Sequence, residues 1–457
     1  MDKIRKKNNS SCSFHNRISK KLSSNILDFF AEKEIENLAR ESGFVSKESK
    51  LSGFKFLDLI LFSKFDNEKL SLNDLSSQTA HKHQIFISKQ AINDRFTIKS
   101  VRFIKLIIEK FIYNTIEVDD SIEFLNDFRR VRIKDSTCFQ LPKNMRDKYA
   151  GSGGCSSKAA VRIQFEYDYK TGEVVVLSIN QFNHQDNKDA LESLENVKEK
   201  DLIIRDLGYI SIKALRELDN LNASYLNRLN STTYVFEKNE NHQYVKLDFT
   251  KVKREMIKKG LTYLDKVVYM GAIEKYKVRL VIQDIPDNNI NERIRKLKKE
   301  SKKKNRKLKQ STIDRATLNL FITNIDQETL PASKLRPLYR LRWQIELMFK
   351  VWKSVGNIHK IKKMKVERFE TILYAKLLWL IINWKLLWQI QIHLWKEKKI
   401  LISFIKAHKT ILDRIDHLRN IIIHRSKKLI TFINDLYQMS PKNHQLEKKN
   451  ISLVLLN

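Results

Sequence analysis

Residues 338–353 have the sequence LYRLRWQIELMFKVWK, whose spacing of apolar and charged side chains predicts an amphipathic helix. At about 100° per residue, four polar side chains fall within one narrow stripe. They are Tyr339, Arg342, Glu346 and Lys353. A carboxylate with arginine and lysine one and two turns away suits a metal ion bound beside phosphate groups. The alternative is a helix whose charged side chains simply lie in water.

Glu346 needs other carboxylates to hold a divalent cation, because Mg²⁺ prefers oxygen ligands. Asp135 ends the alternating basic and apolar segment 130–135, and Asp206 follows the apolar run 202–204. An aspartate at the polar end of a strand lies at the edge of the core, beside an open face of the sheet. Strand-end aspartates also form turns, so either one alone is weak evidence for a site.

The apolar periodicity predicts an α/β protein with a mixed sheet, in which helical segments precede and follow the strands. We expect the chain to divide into six parts. They are a basic flexible arm (1–24), a helical DNA-binding domain (25–125), the first part of the core (126–230), a β-rich insertion with a basic linker (231–315), the second part of the core with the helix quoted above (316–365), and a helical C-terminal region (366–457).

Within the first helical domain, Ser88 is a good helix N-cap, and the turn that follows presents side chains able to reach phosphates or base edges. These are Lys89, Gln90, Asn93 and Arg95. With the helix predicted before it, this segment resembles a loose helix-turn-helix. An ordinary surface helix in a bundle explains the same residues equally well.

The composition favours a nucleic-acid partner. The 457 residues include 87 Lys and Arg against 53 Asp and Glu, a formal net charge of +34. A generally lysine-rich proteome is the alternative explanation. Only three cysteines are present, too few for a disulfide framework, which indicates a reducing cytoplasm. Residues 372–395 are apolar enough to suggest a membrane span, but their lysine, asparagine, glutamine and histidine side chains favour a buried helix.

Three motifs together resemble a known family. Tyr339, Arg342, Glu346 and Lys353 have two, three and six residues between them, and they follow Asp135-Ser136-Thr137 and Asp206-Leu207-Gly208-Tyr209 in the chain. This order is similar to that of bacterial insertion-sequence transposases of the DDE type, in the branch marked by a Tyr-Arg-Glu-Lys signature. The resemblance covers residues from about 26 to 353.

The resemblance implies an RNase H-like core in which Asp135, Asp206 and Glu346 bind two Mg²⁺ or Mn²⁺ ions and catalyse DNA cleavage and strand transfer. It implies cut-and-paste transposition, with a hairpin intermediate at the transposon end. Tyr339, Arg342 and Lys353 would contact phosphates near the cleaved end, and Lys350 is a further basic candidate on the same helix.

The same resemblance implies double-stranded DNA partners, namely the transposon ends and the target, and a homodimer that cuts two ends together. The apolar helices after Glu367 are a candidate interface. The protein would work in the bacterial cytoplasm, at the nucleoid and away from membranes. Two alternatives stay open, a DNA-binding derivative without catalysis and an RNase H-like nuclease without strand transfer.

Overall fold

A computed structural model of the chain describes residues 19–63, 71–113, 125–152, 158–229, 233–285, 287–303, 305 and 307–446. Of the predicted flexible arm, 1–24, residues 1–18 lie outside this described part of the chain. Residues 19–29 form a first helix, α1, and Leu22 and Ile26 are buried one turn apart on it. The prediction of a flexible arm is therefore wrong for residues 19–24, because they are helical and Leu22 joins the core.

The described part of the N-terminal region is helical, as its periodicity predicts. Its helices pack around a group of phenylalanine rings, of which Phe44 and Phe103 are stacked with their centroids 5.1 Å apart. The helices are α2 (Glu32–Glu41), α3 (Gly53–Leu61), α4 (Leu72–His83), α5 (Lys89–Arg95) and α6 (Ile98–Tyr113).

The centre of the molecule is one mixed sheet of ten strands in the order β3-β2-β1-β4-β5-β10-β9-β8-β6-β7. Strands β1, β4 and β5 run parallel, and the other neighbours are antiparallel. The strands are β1 (Arg130–Gln140), β2 (Ala160–Asp168), β3 (Val174–Gln181), β4 (Asp201–Arg205), β5 (Ser224–Arg228), β6 (Val235–Lys238), β7 (Tyr244–Lys246), β8 (Tyr263–Met270), β9 (Tyr276–Asp284) and β10 (Leu318–Thr323). Helices α7 (Asp186–Glu192) and α8 (Ile212–Asn220) connect β3, β4 and β5.

The predicted β-rich insertion, 231–315, is built into this sheet. Strand β9 pairs along six residues with β10, so β6 to β9 extend the core sheet instead of forming a separate layer. The insertion also carries helices, and the basic segment predicted as a linker is largely helical, with Glu292 and Lys296 paired one turn apart. These helices are α9 (Phe249–Lys258), α10 (Asp287–Lys303) and α11 (Gln310–Ala316).

The helix predicted across residues 338–353 is divided into α12 (Ala332–Arg340) and α13 (Trp343–Ser354). Across the junction the backbone N–H groups of residues 341, 342, 344 and 345 each bond the carbonyl three residues earlier. This tighter winding is that of a 3₁₀ turn, which the apolar periodicity does not reveal. Arg342 therefore lies at the junction, with Tyr339 on one helix and Glu346 on the other.

The described part of the C-terminal region is mainly helical, and its first helix, α14 (Val366–Lys398), is long and apolar enough to cross a membrane. The most apolar stretch of α14 is wholly buried inside the protein, which confirms its interpretation as a core helix. Burial lowers the pKa of Lys385 to about 8, and its ammonium donates to the Phe111 carbonyl oxygen at 3.0 Å. Helices α15 (Phe404–Asp413), α16 (Ile415–Ile423) and α17 (Lys428–Asn443) follow.

One hydrophobic core unites the N-terminal helices, one face of the sheet and the C-terminal helices. Trp384 Nε1 donates to the Gly172 carbonyl oxygen at 3.1 Å, which ties α14 to the turn between β2 and β3. Because α14 is covered by its own chain, its apolar surface is not available as the dimer interface that the sequence suggests.

Candidate active site

The register of two parallel strands brings the predicted aspartates together. Lys134 on β1 lies opposite Arg205 on β4, so Asp135 and Asp206 are the next residues along two neighbouring strands. Val131 and Ile133 alternate into the large core, and Asp135 has the same parity on β1. Asp206 stands just after β4, where its side chain accepts no hydrogen bond from the 3₁₀ turn that it precedes. Both aspartates are therefore at one edge of the core.

Arg342 connects this edge to Glu346. Its Nη1 donates to Asp135 Oδ2 at 2.8 Å, and its Nη2 donates to Glu346 Oε1 at 2.6 Å. The junction between α12 and α13 places the guanidinium between the two carboxylates, with only 14% of its side chain exposed. Tyr339, on the other side of the junction, is buried and packs against the ring of Phe321.

The electrostatics show that the carboxylates share one environment. Burial raises the pKa of Asp135 to about 6, Arg342 lowers it, and the charges of Asp206 and Glu346 raise it again. Burial alone would lower the pKa of Arg342, but Tyr339, Asp206 and Asp135 hold it above its ordinary value. The structure thus brings the three acidic residues singled out by the sequence around a single arginine.

The donor set fits a hard divalent cation, because all three side chains offer carboxylate oxygens. The raised pKa of Asp135 means that its ionised form lacks sufficient compensating charge, which a cation would supply. Across the described residues no group of three His, Cys, Asp or Glu side chains is arranged to hold an ion directly. In this arrangement Arg342 holds two of the carboxylates, so binding of a cation there requires Arg342 to change partners.

The other basic candidates on α13 lie beside this centre. Lys353 Nζ is 3.4 Å from the carbonyl oxygen of Cys138, near the end of β1, and Lys350 is exposed with its ammonium 5.5 Å from the centroid of the Trp343 ring. At about 100° per residue, both lysines lie on the same face of α13 as Glu346. The predicted phosphate contacts of α13 are thus available to an incoming polyanion.

The four N-terminal candidates have different environments. Lys89 and Gln90 are exposed on α5, and Gln90 bonds Asp94 in the next turn. Asn93 gives its carbonyl oxygen to Lys365 at 2.6 Å. Arg95 turns inward, where it donates to the Leu51 carbonyl oxygen and lies 4.5 Å from the centroid of the Phe44 ring. Of the four, Arg95 therefore has an evident packing role.

Sequence reasoning missed the residues that surround the Gly-Tyr pair after Asp206. A Cβ at Gly208 would lie 3.1 Å from Asp186 Oδ2, so a larger residue in the Asp-Leu-Gly-Tyr motif would require Asp186 to shift. Asp186 Oδ1 accepts hydrogen bonds from Arg162 and Gln164, and the Tyr209 hydroxyl donates to Gln164 Oε1. The Gly-Tyr pair after Asp206 was the available signal, but its partners come from distant segments.

Comparison with known proteins finds a matching family and several similar proteins. Residues 126–382 match the family described as Transposase DDE domain. The chain is 30% identical to the transposase for insertion sequence element IS231B of Bacillus thuringiensis subsp. berliner. The similarity extends over 435 residues, 91% of each protein. It is 31% identical over 436 residues to that of IS231F of Bacillus thuringiensis subsp. israelensis, again 91% of each. It is 32% identical over 386 residues, 80% of each, to that of IS1151 of Clostridium perfringens.

Proposed function

The chain belongs to the Transposase DDE domain family and is an insertion-sequence DNA transposase, and on that premise we propose that Asp135, Asp206 and Glu346 form its catalytic centre. The observation that carries the proposal is the shared partner of the acidic groups. Arg342 bonds Asp135 and Glu346, and Asp206 raises the pKa of both Asp135 and Arg342. Acidic residues far apart in sequence meet at one edge of the sheet.

The family depends on divalent metal, and the three carboxylates are the residues that would hold it. We propose two Mg²⁺ or Mn²⁺ ions per site. When bound, such ions activate the attacking oxygen and stabilise the leaving oxygen during in-line displacement at phosphorus. Arg342, released from its two carboxylates, would bind a phosphate oxygen through its planar guanidinium. Tyr339 and Lys353 would fix the phosphates on either side, with Lys350 as an outer contact.

The reaction would combine hydrolysis and transesterification. Water first attacks a phosphodiester at the transposon end, so that a new P–O bond forms while the P–O3′ bond breaks and leaves a 3′-hydroxyl. That hydroxyl then attacks another phosphodiester, and the P–O3′ bond of the attacked strand breaks as the new one forms. Attack on the opposite strand gives a hairpin, which water must reopen to free the 3′-hydroxyl again, and attack on target DNA joins the element. We infer from Tyr339, Arg342, Glu346 and Lys353 that the chain belongs to the Tyr-Arg-Glu-Lys branch, and such membership would favour the hairpin route.

The remaining parts of the proposal concern recognition and assembly. We assign DNA recognition to the helical region 25–125, where Lys89, Gln90 and Asn93 on α5 are the leading contacts, with Arg95 holding α5 in place. Two ends must be cut together, so the working form would be a homodimer. Its site of action would be the cytoplasm at the nucleoid, and the division of the chain into the six predicted parts stays a proposal with the sheet and helix boundaries given above.

The test is a cleavage assay on duplex DNA that carries the sequence flanking the gene, with purified full-length protein and Mg²⁺. A transposase nicks the end, cleaves the opposite strand and joins the end to target DNA. Binding without cleavage by the wild type would favour the DNA-binding derivative, and cleavage without joining would favour the nuclease. The variant Glu346→Gln should lose cleavage. Its matched control is Glu328→Gln, because Glu328 is exposed and precedes α12.

A further inference from the structure

A cavity lined by arginines adjoins the three carboxylates. A cavity of about 390 Å³ opens between the sheet and α12, and arginines from four separate segments line it. They are Arg228 on β5, Arg293 on α10, Arg336 and Arg340 on α12, and Arg342 at the junction. The cavity shares Tyr339 and Arg342 with the candidate active site, so the two sites form one continuous surface.

Four of these arginines have no acidic partner in the part of the chain that the structure describes. Arg293 is held in place by neutral oxygens, with Nη2 donating to Asn319 Oδ1 at 2.8 Å. Burial, together with the charges of Arg228 and Arg336, lowers the pKa of Arg293, and burial with the charge of Arg340 lowers that of Arg336. The group therefore contains several half-buried positive charges that repel one another.

The arginines at the start of β1 are balanced differently, because they face carboxylates. Arg132 Nε lies 2.9 Å from Glu166 Oε1, and Arg130 Nη2 lies 2.5 Å from Asp201 Oδ2. A solvated surface cluster could leave its charges to counterions, but half-buried guanidinium groups around a cavity are poorly served by water. An anion with several oxygen atoms is the ligand chemistry that such an arrangement requires.

We propose that this arginine cavity binds backbone phosphates of the DNA strand next to the phosphate being cleaved, and so fixes the register of that strand in the active site. The assignment rests on the proposed function, because Arg342 and Tyr339 are common to the cavity and the carboxylate site. The bound group is a phosphodiester, and a free phosphate or pyrophosphate is the other source of the same chemistry.

The test uses end-containing duplexes in EDTA, each with one phosphate near the cleavage point replaced by an uncharged methylphosphonate. For wild-type protein, one or two positions should weaken binding by about tenfold, as expected for a lost charge-assisted contact. Arg336→Ala should weaken binding of unmodified DNA by a similar factor and show no further loss at those positions. Arg295→Ala is the matched control, because Arg295 is exposed on α10 outside the cavity and should keep the wild-type pattern.

Thermal unfolding without DNA separates binding from structure. Removal of one repelling charge should leave the melting temperature of Arg336→Ala unchanged or higher, whereas a lower value together with weaker binding would indicate a structural role and overturn the proposal. Arg340→Gln repeats the test at a second position.

Additive effects of Arg336→Ala and the methylphosphonates at every position would overturn the proposal. Stabilisation of the wild type against thermal unfolding by pyrophosphate, combined with such additivity, would also overturn it, since the cavity would then bind a small free anion. If the coupling is found but the wild type cleaves no end DNA in Mg²⁺, the phosphate cavity stands and the transposase chemistry fails.

Discussion

Strand β1 carries two groups of charge that differ in how they are balanced. Arg132 and Lys134, on one face, are fully buried and lie against Glu166, whose pKa falls to about 2 because Arg132, Arg205 and Lys134 outweigh the effect of burial. Asp135, the next residue, lies among acidic neighbours with Arg342, and burial raises its pKa to about 6. Adjacent residues of one strand thus belong to two groups. We call the group around Glu166, in which acids and bases pair with one another, the closed network, and the group around Asp135, in which acids outnumber the arginine, the open one.

The difference teaches how to read buried charge in this protein. In the closed network each charge has protein partners, for example Lys134 with Asp189. The role of this network is therefore structural. Around the site three carboxylates face one arginine, and in the cavity nearby four of the five arginines have no acidic partner among the described residues. Charges that protein partners do not fully balance are the ones available to a metal ion and to DNA. Most of the +34 excess serves neither purpose individually and would act as non-specific phosphate contact.

The largest expected effect concerns catalysis at the open group. Glu346→Gln should lower the single-turnover cleavage rate by about 10³-fold or more, because the loss of a carboxylate weakens cation binding and transition-state stabilisation. Its melting temperature and DNA affinity should stay close to those of the wild type. Glu328→Gln should cleave normally, and cleavage by Glu346→Gln within tenfold of the wild-type rate would break the comparison.

The second effect concerns stability at the closed group. Glu166→Gln should lower the free energy of unfolding by about 3–5 kcal/mol, because three buried cations lose their compensating charge. Chemical denaturation measures this difference. Glu192→Gln is the control, since the Glu192 side chain is 53% exposed and its ion pairs should contribute at most about 1 kcal/mol. A change of less than 1 kcal/mol in Glu166→Gln would mean that the network is not structural.

The smallest effect is the pH dependence of stability in EDTA. The pKa of Asp135 is about 6 in the folded protein and about 4 when unfolded, so between these values only the folded state retains the proton. The contribution of Asp135 to stability is therefore present below about pH 4 and is lost as the pH rises through 6.

Asp135→Asn should remove this dependence. At pH 7.5 the variant should melt about 2 °C above the wild type, and the gap should close near pH 4. The measurement is a series of melting curves across this range. A gap that is constant with pH would show that Asp135 does not titrate as its environment indicates.

The sequence alone predicts a large part of this arrangement. The alternating segment 130–135 and the apolar run 202–204 identify β1 and β4, and the three acidic residues are singled out by motifs at the ends of these strands and on the helix that corresponds to α13. The periodicity could not reveal the 3₁₀ turn at Arg342, because a change of winding over a few residues leaves the apolar spacing nearly intact. Nor could it reveal the pairing of β9 with β10 or the cavity that joins Arg228, Arg293 and Arg336, since these depend on contacts between distant segments.

The central claim, that the acidic residues hold the metal that cleaves DNA, is tested most directly at Asp206, which lacks a hydrogen bond to the turn it precedes. Single-turnover cleavage by Asp206→Cys should be compared in Mg²⁺ and in Mn²⁺. A thiolate is a poor ligand for Mg²⁺ and a better one for softer ions, so activity should be lost in Mg²⁺ and partly restored in Mn²⁺. Equal rates relative to wild type in both metals would contradict direct ligation by Asp206.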